Sequence, residues 1–297
     1  MRTRKLKNNT KYKKLQCAPI QYNKLSKKLK STTCYDDERL FALKKYWNDK
    51  YPNNKIKAKK PINIWKSIKN NIGNVCKDER CWLRHEFMIN NVKDKTNENI
   101  FRPVMPKEWK NKPYMWLNNI DITKIMKQYE KAYNYFKFIG PSPIDFDFKI
   151  SQNKCVWNEL CNFNINNYEK NKITKIGIIL NLDKHYSSGS HWVTLFIDLN
   201  KKFIFYFDSN GIKPPKEVDI FANRIIEQYY NRKNINLEYI NNNRFVHQEK
   251  DGTCGIYAIY CIVELLLEKK TPYFFKTRKV SDYLMRDYRK IYYNDEY

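Results

Sequence analysis

Glycine is scarce in this chain, seven residues in 297, which excludes collagen-like and Gly-rich architectures. Acidic side chains are also few: 31 Asp and Glu stand against 57 Lys and Arg, a formal net charge of +26. No run of about 18 apolar residues occurs, so no transmembrane helix and no membrane insertion are expected. The longest apolar stretch, Ile256–Leu267, is broken by Glu264. The basic N-terminus lacks the apolar centre of a signal peptide, so export by that route is not expected. Aromatics, by contrast, make up 15%, too many for a disordered chain. Eight cysteines are scattered along the sequence, and without an export signal they read as reduced thiols.

The charge is uneven. Residues 1–110 hold 29 basic and 10 acidic side chains (+19), and residues 111–297 hold 28 and 21 (+7). Two physically different parts follow. Residues 1–30, with 11 basic and no acidic side chains, read as a flexible basic tail open to nucleic-acid contact. Residues 31–110 read as a mainly helical N-terminal arm domain. Its helices are one with Leu40, Leu43 and Trp47 on a face behind Asp36, and one opened by Pro61 with Ile64, Ile68 and Ile72. A proline-marked stretch over residues 92–113 reads as a linker, with the boundary near 110.

Residues 111–297 alternate otherwise. Residues 116–136 suggest a helix, Gly140-Pro141-Ser142-Pro143 a rigid loop, and residues 174–180 a strand. Residues 191–198 and 203–208 suggest a hairpin. An amphipathic helix near 217–230, an extended stretch near 235–246, an apolar helix over 254–267 and a last helix near 281–292 follow. That order predicts an α+β fold rather than a doubly wound sheet.

Cys254, in Gly252-Thr253-Cys254-Gly255, begins the apolar helix. The positive end of a helix favours the anionic form of a sulfur placed there, and the flanking glycines remove bulk around it. Alone, such a cysteine reads as a small buried hydrophobe. It is not alone. His191 opens the first hairpin strand beside Trp192, and Asp208 ends the second. A hairpin brings the carboxylate to the imidazole, where it can accept Nδ1–H and leave Nε2 facing the thiol. Gln248, six residues before Cys254, can donate to a developing oxyanion together with the Cys254 N–H. His247 is a competing general base with no evident orienting partner.

The order His191-Trp192, Asp208, Gln248, Cys254-Gly255 resembles the catalytic pattern of the adenain/SUMO-protease clan of cysteine peptidases. Trp116-Leu117-Asn118-Asn119 is similar to the WLND segment of SUMO proteases, with Asn119 in place of the aspartate. Phe138–Phe146 and Cys81-Trp82-Leu83 resemble the branch carried by large DNA viruses, African swine fever virus and its giant-virus relatives among them. The resemblance implies an adenain-type core, a central mixed sheet flanked by helices, and peptide-bond hydrolysis through an acyl-enzyme. Cys254 would be the nucleophile, His191 the base and then acid, Asp208 its orienting group, and Gln248 an oxyanion donor. Trp116 and Trp192, with Asn118 and Gly255, would bind substrate, the two indoles forming a narrow tunnel that admits only Gly-Gly. Viral structural polyproteins are the implied substrates, cleaved during particle maturation at the host-cytoplasm assembly site and in the virion. No cofactor and no metal are expected.

Three other readings stand beside it. The same chemistry serves a protease that removes ubiquitin or SUMO from host proteins. An acetyltransferase can share the clan's fold. Cys76, Cys81 and His85 offer three zinc ligands without a nearby fourth. The basic charge also fits a nucleic-acid-binding role, as a complement to catalysis that leaves DNA contact through the N-terminal region open.

Overall fold

A computed structural model describes residues 17–85, 87 and 100–294. Two compact units result, one of Met1–Met105 with Lys290–Tyr297 and one of Pro106–Arg289.

The N-terminal unit is helical among its described residues: α1 (Pro19–Lys24), α2 (Asp37–Lys50), α3 (Pro61–Ile72) and α4 (Glu79–Trp82). Asp36 caps α2 by accepting from the Arg39 N–H, and Pro61 opens α3, as N-terminal signals require. Leu40, Leu43, Trp47, Ile64 and Ile68 form the core between them. The Glu79 carboxylate ties the unit together, accepting from the Cys34 N–H at 2.9 Å and the Trp65 indole at 2.5 Å. Leu25 and Leu29 are buried in the same core, so residues 17–30 are packed structure and not the free tail their charge suggests. Residues 1–16 of that expected tail lie outside the described residues. At the other end, Asn294 pairs its backbone with Pro103 and Met105, returning the chain's end to this unit.

The second unit is built on a five-stranded mixed sheet of order β1-β4-β5-β6-β7. Its strands are β1 (Phe136–Pro143), β4 (Lys175–Asn181), β5 (Trp192–Asp198), β6 (Phe203–Phe207) and β7 (Glu238–Asn241); β2 (Lys149–Ser151) and β3 (Lys154–Cys155) form a separate hairpin. β1 runs parallel to β4 and β7 parallel to β6, whereas β4, β5 and β6 are antiparallel. The helices are α5 (Asn119–Ala132), α6 (Asn158–Cys161), α7 (Ile165–Lys170), α8 (Lys216–Lys233), α9 (Cys254–Leu266), α10 (Pro272–Thr277) and α11 (Asp282–Tyr292). The α+β arrangement with a helix-flanked mixed sheet is the one expected from the sequence.

Every residue of β4, β5 and β6 is buried, as strands covered on both faces must be. Ile176, Ile178, Val193, Leu195 and Ile204 pack with α8 on one face. On the other, the Thr194 hydroxyl donates to the Ala258 carbonyl of α9 at 3.4 Å, and Phe205 stacks on Phe275 of α10. All thirteen residues of α9 are buried. Such a helix is held by tertiary packing rather than propensity, and truncating one of its isoleucines to alanine costs about 2–5 kcal/mol.

Two expectations are corrected. Gly140-Pro141-Ser142-Pro143 is not a loop: it ends β1, where the ladder to β4 breaks register between Ile139 and Ser142. The cysteines are not all thiols. Folding brings Cys17 to Cys34, Cys76 to Cys81 and Cys155 to Cys161, with Cα separations of 5.2, 5.3 and 6.3 Å, within disulfide reach. Each pair is bonded; Cys254 and Cys261 stay free. Cys76 and Cys81 therefore cannot supply zinc thiolates. Spacing along the sequence holds no information on such pairing, because tertiary contacts create it. Thiol titration of the denatured, unreduced protein is expected to find two reactive thiols per chain, Cys254 and Cys261. Eight without reduction would overturn the pairing.

Candidate active site

Continuing the β5–β6 register, in which Thr194 faces Phe207, Asp208 falls opposite Val193 and diagonal to His191. The carboxylate reaches the far nitrogen of the ring: His191 Nε2 lies 2.8 Å from Asp208 Oδ1. The ring is thus turned the opposite way from the sequence expectation. Nε2 meets the acid, and Nδ1 is left for the hydrogen bond to Cys254. Asp208 is fully buried, Cys254 is 1% exposed and His191 9%, so the three groups interact in a low-dielectric setting.

Burial alone would drive the imidazole towards its neutral form. The hydrogen bonds to Asp208 and Cys254, with the charges behind them, outweigh it and lift the His191 pKa from 6.5 to about 9. At neutral pH the ring is an imidazolium.

Asp208 is itself fixed. Its N–H donates to Asn242 Oδ1 at 2.9 Å, and Asn242 Nδ2 donates back to its carbonyl at 2.7 Å. Its Oδ1 also accepts from the Asn210 N–H at 2.7 Å. Tyr206, two residues earlier on the same face, is a buried phenol whose proton is held on by burial and by the Asp208 charge.

Cys254 is the first residue of α9, where helical N–H groups lack intrahelical acceptors. The loop before it is tied to Asp282, a buried carboxylate at the start of α11. Asp282 accepts from the Thr253 hydroxyl at 2.8 Å and from the Glu249 and Lys250 N–H groups at 2.9 and 3.1 Å. Gln248 is aimed by two bonds: Ser209 Oγ donates to its Oε1 at 2.7 Å, and its Nε2 donates to the Lys250 carbonyl at 3.0 Å. An amide nitrogen has a second proton, which neither of these bonds uses.

His247 is a structural residue. Its Nε2 donates to the Phe275 carbonyl at 2.8 Å while Nδ1 accepts from the Val280 N–H at 3.1 Å. Burial lowers its pKa, and both nitrogens are engaged with backbone. It has partners after all, and they are what exclude it as a base. Of the other histidines, His185 pairs with Asp145 at 2.7 Å in an exposed loop, and the His85 ring lies tilted against Phe87, centroids 5.3 Å apart, in the N-terminal unit.

The tryptophans flank the cysteine segment. Gly252 sits at φ +83°, and a Cβ there would lie 2.0 Å from the Tyr114 carbonyl and 3.1 Å from the Trp116 ring. A Cβ on Gly255 would meet Leu117 at 2.9 Å and Trp192 at 3.3 Å. Glycine at 255 therefore gives space to packed side chains rather than opening a path for substrate. Trp192 donates its indole N–H to the Leu117 carbonyl at 2.9 Å, and Trp116 is 37% exposed. Asn118 is occupied in a capping box at the start of α5: its side chain accepts from the Asp121 N–H, and the Asp121 carboxylate accepts from its own N–H. Substrate contact would have to displace that cap.

Sequence reasoning missed one further group. Arg289, 2% exposed, donates to the carbonyl of Met115 and, at 3.2 Å, to that of Gly252, with its guanidinium 4.5 Å over Trp109. It joins the segment carrying Trp116 to the segment carrying Cys254. No motif marks it, since an arginine near the end of a predicted helix reads as surface.

The Ulp1 protease family, C-terminal catalytic domain, matches residues 119–297, more than half of the chain. The chain belongs to the Ulp1 protease family. This Ulp1-family chain is a cysteine protease, as its matched relatives are. It is 29% identical over 265 residues to a thiol protease of Acanthamoeba polyphaga mimivirus, covering 84% of each chain. It is 26% identical over 182 residues to a SUMO-1 cysteine protease of African swine fever virus, covering 58% of this chain and 66% of that one. A crystal structure of the African swine fever virus protease shares the fold at TM-score 0.65 and 17% identity, covering 95% of this chain and 98% of that chain. The resemblance to the large-DNA-virus branch is borne out. The Ulp1-family match begins at Asn119, so Trp116 and Asn118 precede it.

Two outcomes test this geometry. By nuclear magnetic resonance the His191 ring should lose its proton near pH 9, and Asp208→Asn should bring that midpoint down; an unmoved midpoint would remove Asp208 as the cause. Arg289→Met should lower kcat/KM about 10- to 100-fold, mainly through KM, because it loosens the segments carrying Trp116 and Cys254 without removing a group of the Cys254–His191–Asp208 row. Partial recovery in Arg289→Lys, and a loss confined to kcat in neither variant, are expected in steady-state kinetics.

Proposed function

We propose that this protease cleaves viral structural or core polyproteins after Gly-Gly-type sites during particle maturation, at the host-cytoplasm assembly site and in the virion. The observation that supports it most is the buried Cys254–His191–Asp208 line beside two tryptophans. An imidazolium next to Cys254 favours a thiolate partner, and the sulfur attacks the scissile carbonyl. The oxyanion receives the Cys254 N–H and the free Gln248 amide proton. His191 Nδ1 then donates its proton to the leaving amine, and the C–N bond breaks to leave an acyl-enzyme. Water, deprotonated by the now neutral His191, attacks the thioester and releases the acid and the sulfur. Asp208 holds the ring and stabilises its cationic form.

On this reading Trp116 and Trp192 wall a passage that rejects side chains, so selection of Gly-Gly works by steric rejection. The relatives' viral origin supports polyproteins as substrates and a viral source for this chain. DNA contact through the basic N-terminal region accompanies this reading and needs no change in the chemistry.

Cys254→Ala should lower cleavage of a Gly-Gly-X peptide by about three orders of magnitude or more, measured by release of the X-side amine. Full activity in that variant would sink the mechanism. Running viral polyprotein beside ubiquitin and SUMO conjugates decides the substrate: faster turnover of the conjugates would replace polyprotein processing with deconjugation. Consumption of acetyl-coenzyme A without peptide cleavage would point to acyl transfer instead.

A further inference from the structure

Between residues 50 and 77 the N-terminal unit carries eight lysines and no acidic residue. Part of that run has an ordered shape. In residues 55–59 exposure alternates: Lys55, Lys57 and Lys59 are exposed, Ile56 is buried and Ala58 half-buried. A period of two is that of an extended chain, and the backbone bonds agree. The Ile56 N–H donates to Asn48 Oδ1 at 2.7 Å, Asn48 Nδ2 donates to the Ile56 carbonyl at 3.2 Å, and Lys44 Nζ donates to the Ala58 carbonyl at 2.9 Å. Residues 56 and 58 thus turn their polar backbone towards α2, held by two α2 side chains one turn apart. Upstream, the Trp47 indole donates to the Asn54 carbonyl at 2.8 Å.

The consequence is a row of three exposed lysines along one edge of a fixed backbone, with attachment points about 6–7 Å apart. Lys60 continues it. None of the four is in an ion pair among the described residues. A solvated face usually intersperses both signs of charge; this one does not.

We infer that Lys55, Lys57 and Lys59 form a binding edge for the phosphate backbone of single-stranded nucleic acid. An extended strand presents one phosphate per nucleotide at a comparable repeat, so each lysine can meet its own phosphate. The residues between the lysines point inwards, which leaves nothing apolar to enter a lipid surface, as adsorbed membrane segments require. Binding at this edge is read from backbone charge and carries no base specificity. It is also separate from peptide hydrolysis: none of these lysines belongs to the catalytic unit.

The test uses the full chain and a fluorescein-labelled oligothymidylate of about 16 nucleotides, followed by anisotropy across a salt series. The triple variant Lys55→Gln, Lys57→Gln, Lys59→Gln should bind more weakly at low salt. Its slope of log affinity against log salt should be shallower by about 2, at roughly 0.7 for each phosphate no longer neutralised. Replacing the same three by arginine should keep binding. Cleavage of a Gly-Gly-X peptide should be unchanged in both, so failure here is distinguishable from failure of the protease reading. A second triple variant, Lys170→Gln, Lys213→Gln, Lys216→Gln, removes the same charge from exposed sites in the catalytic unit. Equal weakening in the two glutamine variants would reduce the effect to net charge and overturn the edge. Unchanged oligonucleotide binding in the first would overturn it too, as would lysine-dependent capture by phosphatidylserine vesicles without oligonucleotide binding.

Discussion

The site depends on the register of β5 against β6. Their antiparallel pairing, fixed from Thr194↔Phe207 to Asp198↔Phe203, decides which way Asp208 points. A slip of one residue would turn every side chain on β6 to the other face, carrying Asp208 away from His191. The slip is blocked energetically as well, because both faces of these strands are buried and neither could accept the other's side chains. At the far end of the same strands the buried Lys175–Asp198 pair, 3.2 Å apart, ties β4 to β5 in their own register. The chemistry at one end of the sheet thus rests on packing along its whole length.

The second requirement is to hold an exposed loop end as firmly as a strand. Residues 248–253 lie outside regular structure, and such a segment is mobile unless its backbone groups are committed. Here they are. Asp282 takes the N–H groups of Glu249 and Lys250 and the Thr253 hydroxyl, Arg289 takes the Gly252 carbonyl, and Tyr257 donates to the His247 carbonyl at 3.2 Å. Two of these anchors come from α11. Helix α11 is therefore part of how the Cys254 segment is placed, although no residue of it touches the Cys254–His191–Asp208 row.

This explains which parts were legible in the sequence. α9 announced itself by an unbroken apolar run, and β5 and β6 by aromatic and β-branched content on either side of a short turn. His191, Asp208, Gln248 and Cys254 follow from those elements because a hairpin and a helix start leave few places for them. The orientation of the imidazole was not legible, since no local pattern says which ring nitrogen meets the acid. Nor was the Asn242 clamp on Asp208, an amide 34 residues away in a loop, or the role of Arg289, which acts only on backbone carbonyls. The disulfides and the packing of residues 17–30 were hidden for a related reason. Composition described those residues as basic or as thiols, while their partners lie 5 to 17 positions off or in other helices. Local pattern reports faces and periods; it does not report who occupies the other side.

The raised pKa of His191 links stability to catalysis through one proton. A histidine whose folded pKa stands at about 9, against an ordinary 6.5, stabilises the fold fully below the unfolded value and loses that contribution as pH rises through the folded one. The same rise removes the proton from the ring that faces Cys254. Alkaline conditions therefore withdraw the ring's charge and the support it gives the buried Asp208 carboxylate together. A fully buried carboxylate facing a neutral ring is the costlier state. The catalytic charge balance has to be settled locally, between residues that the β5–β6 register places in contact.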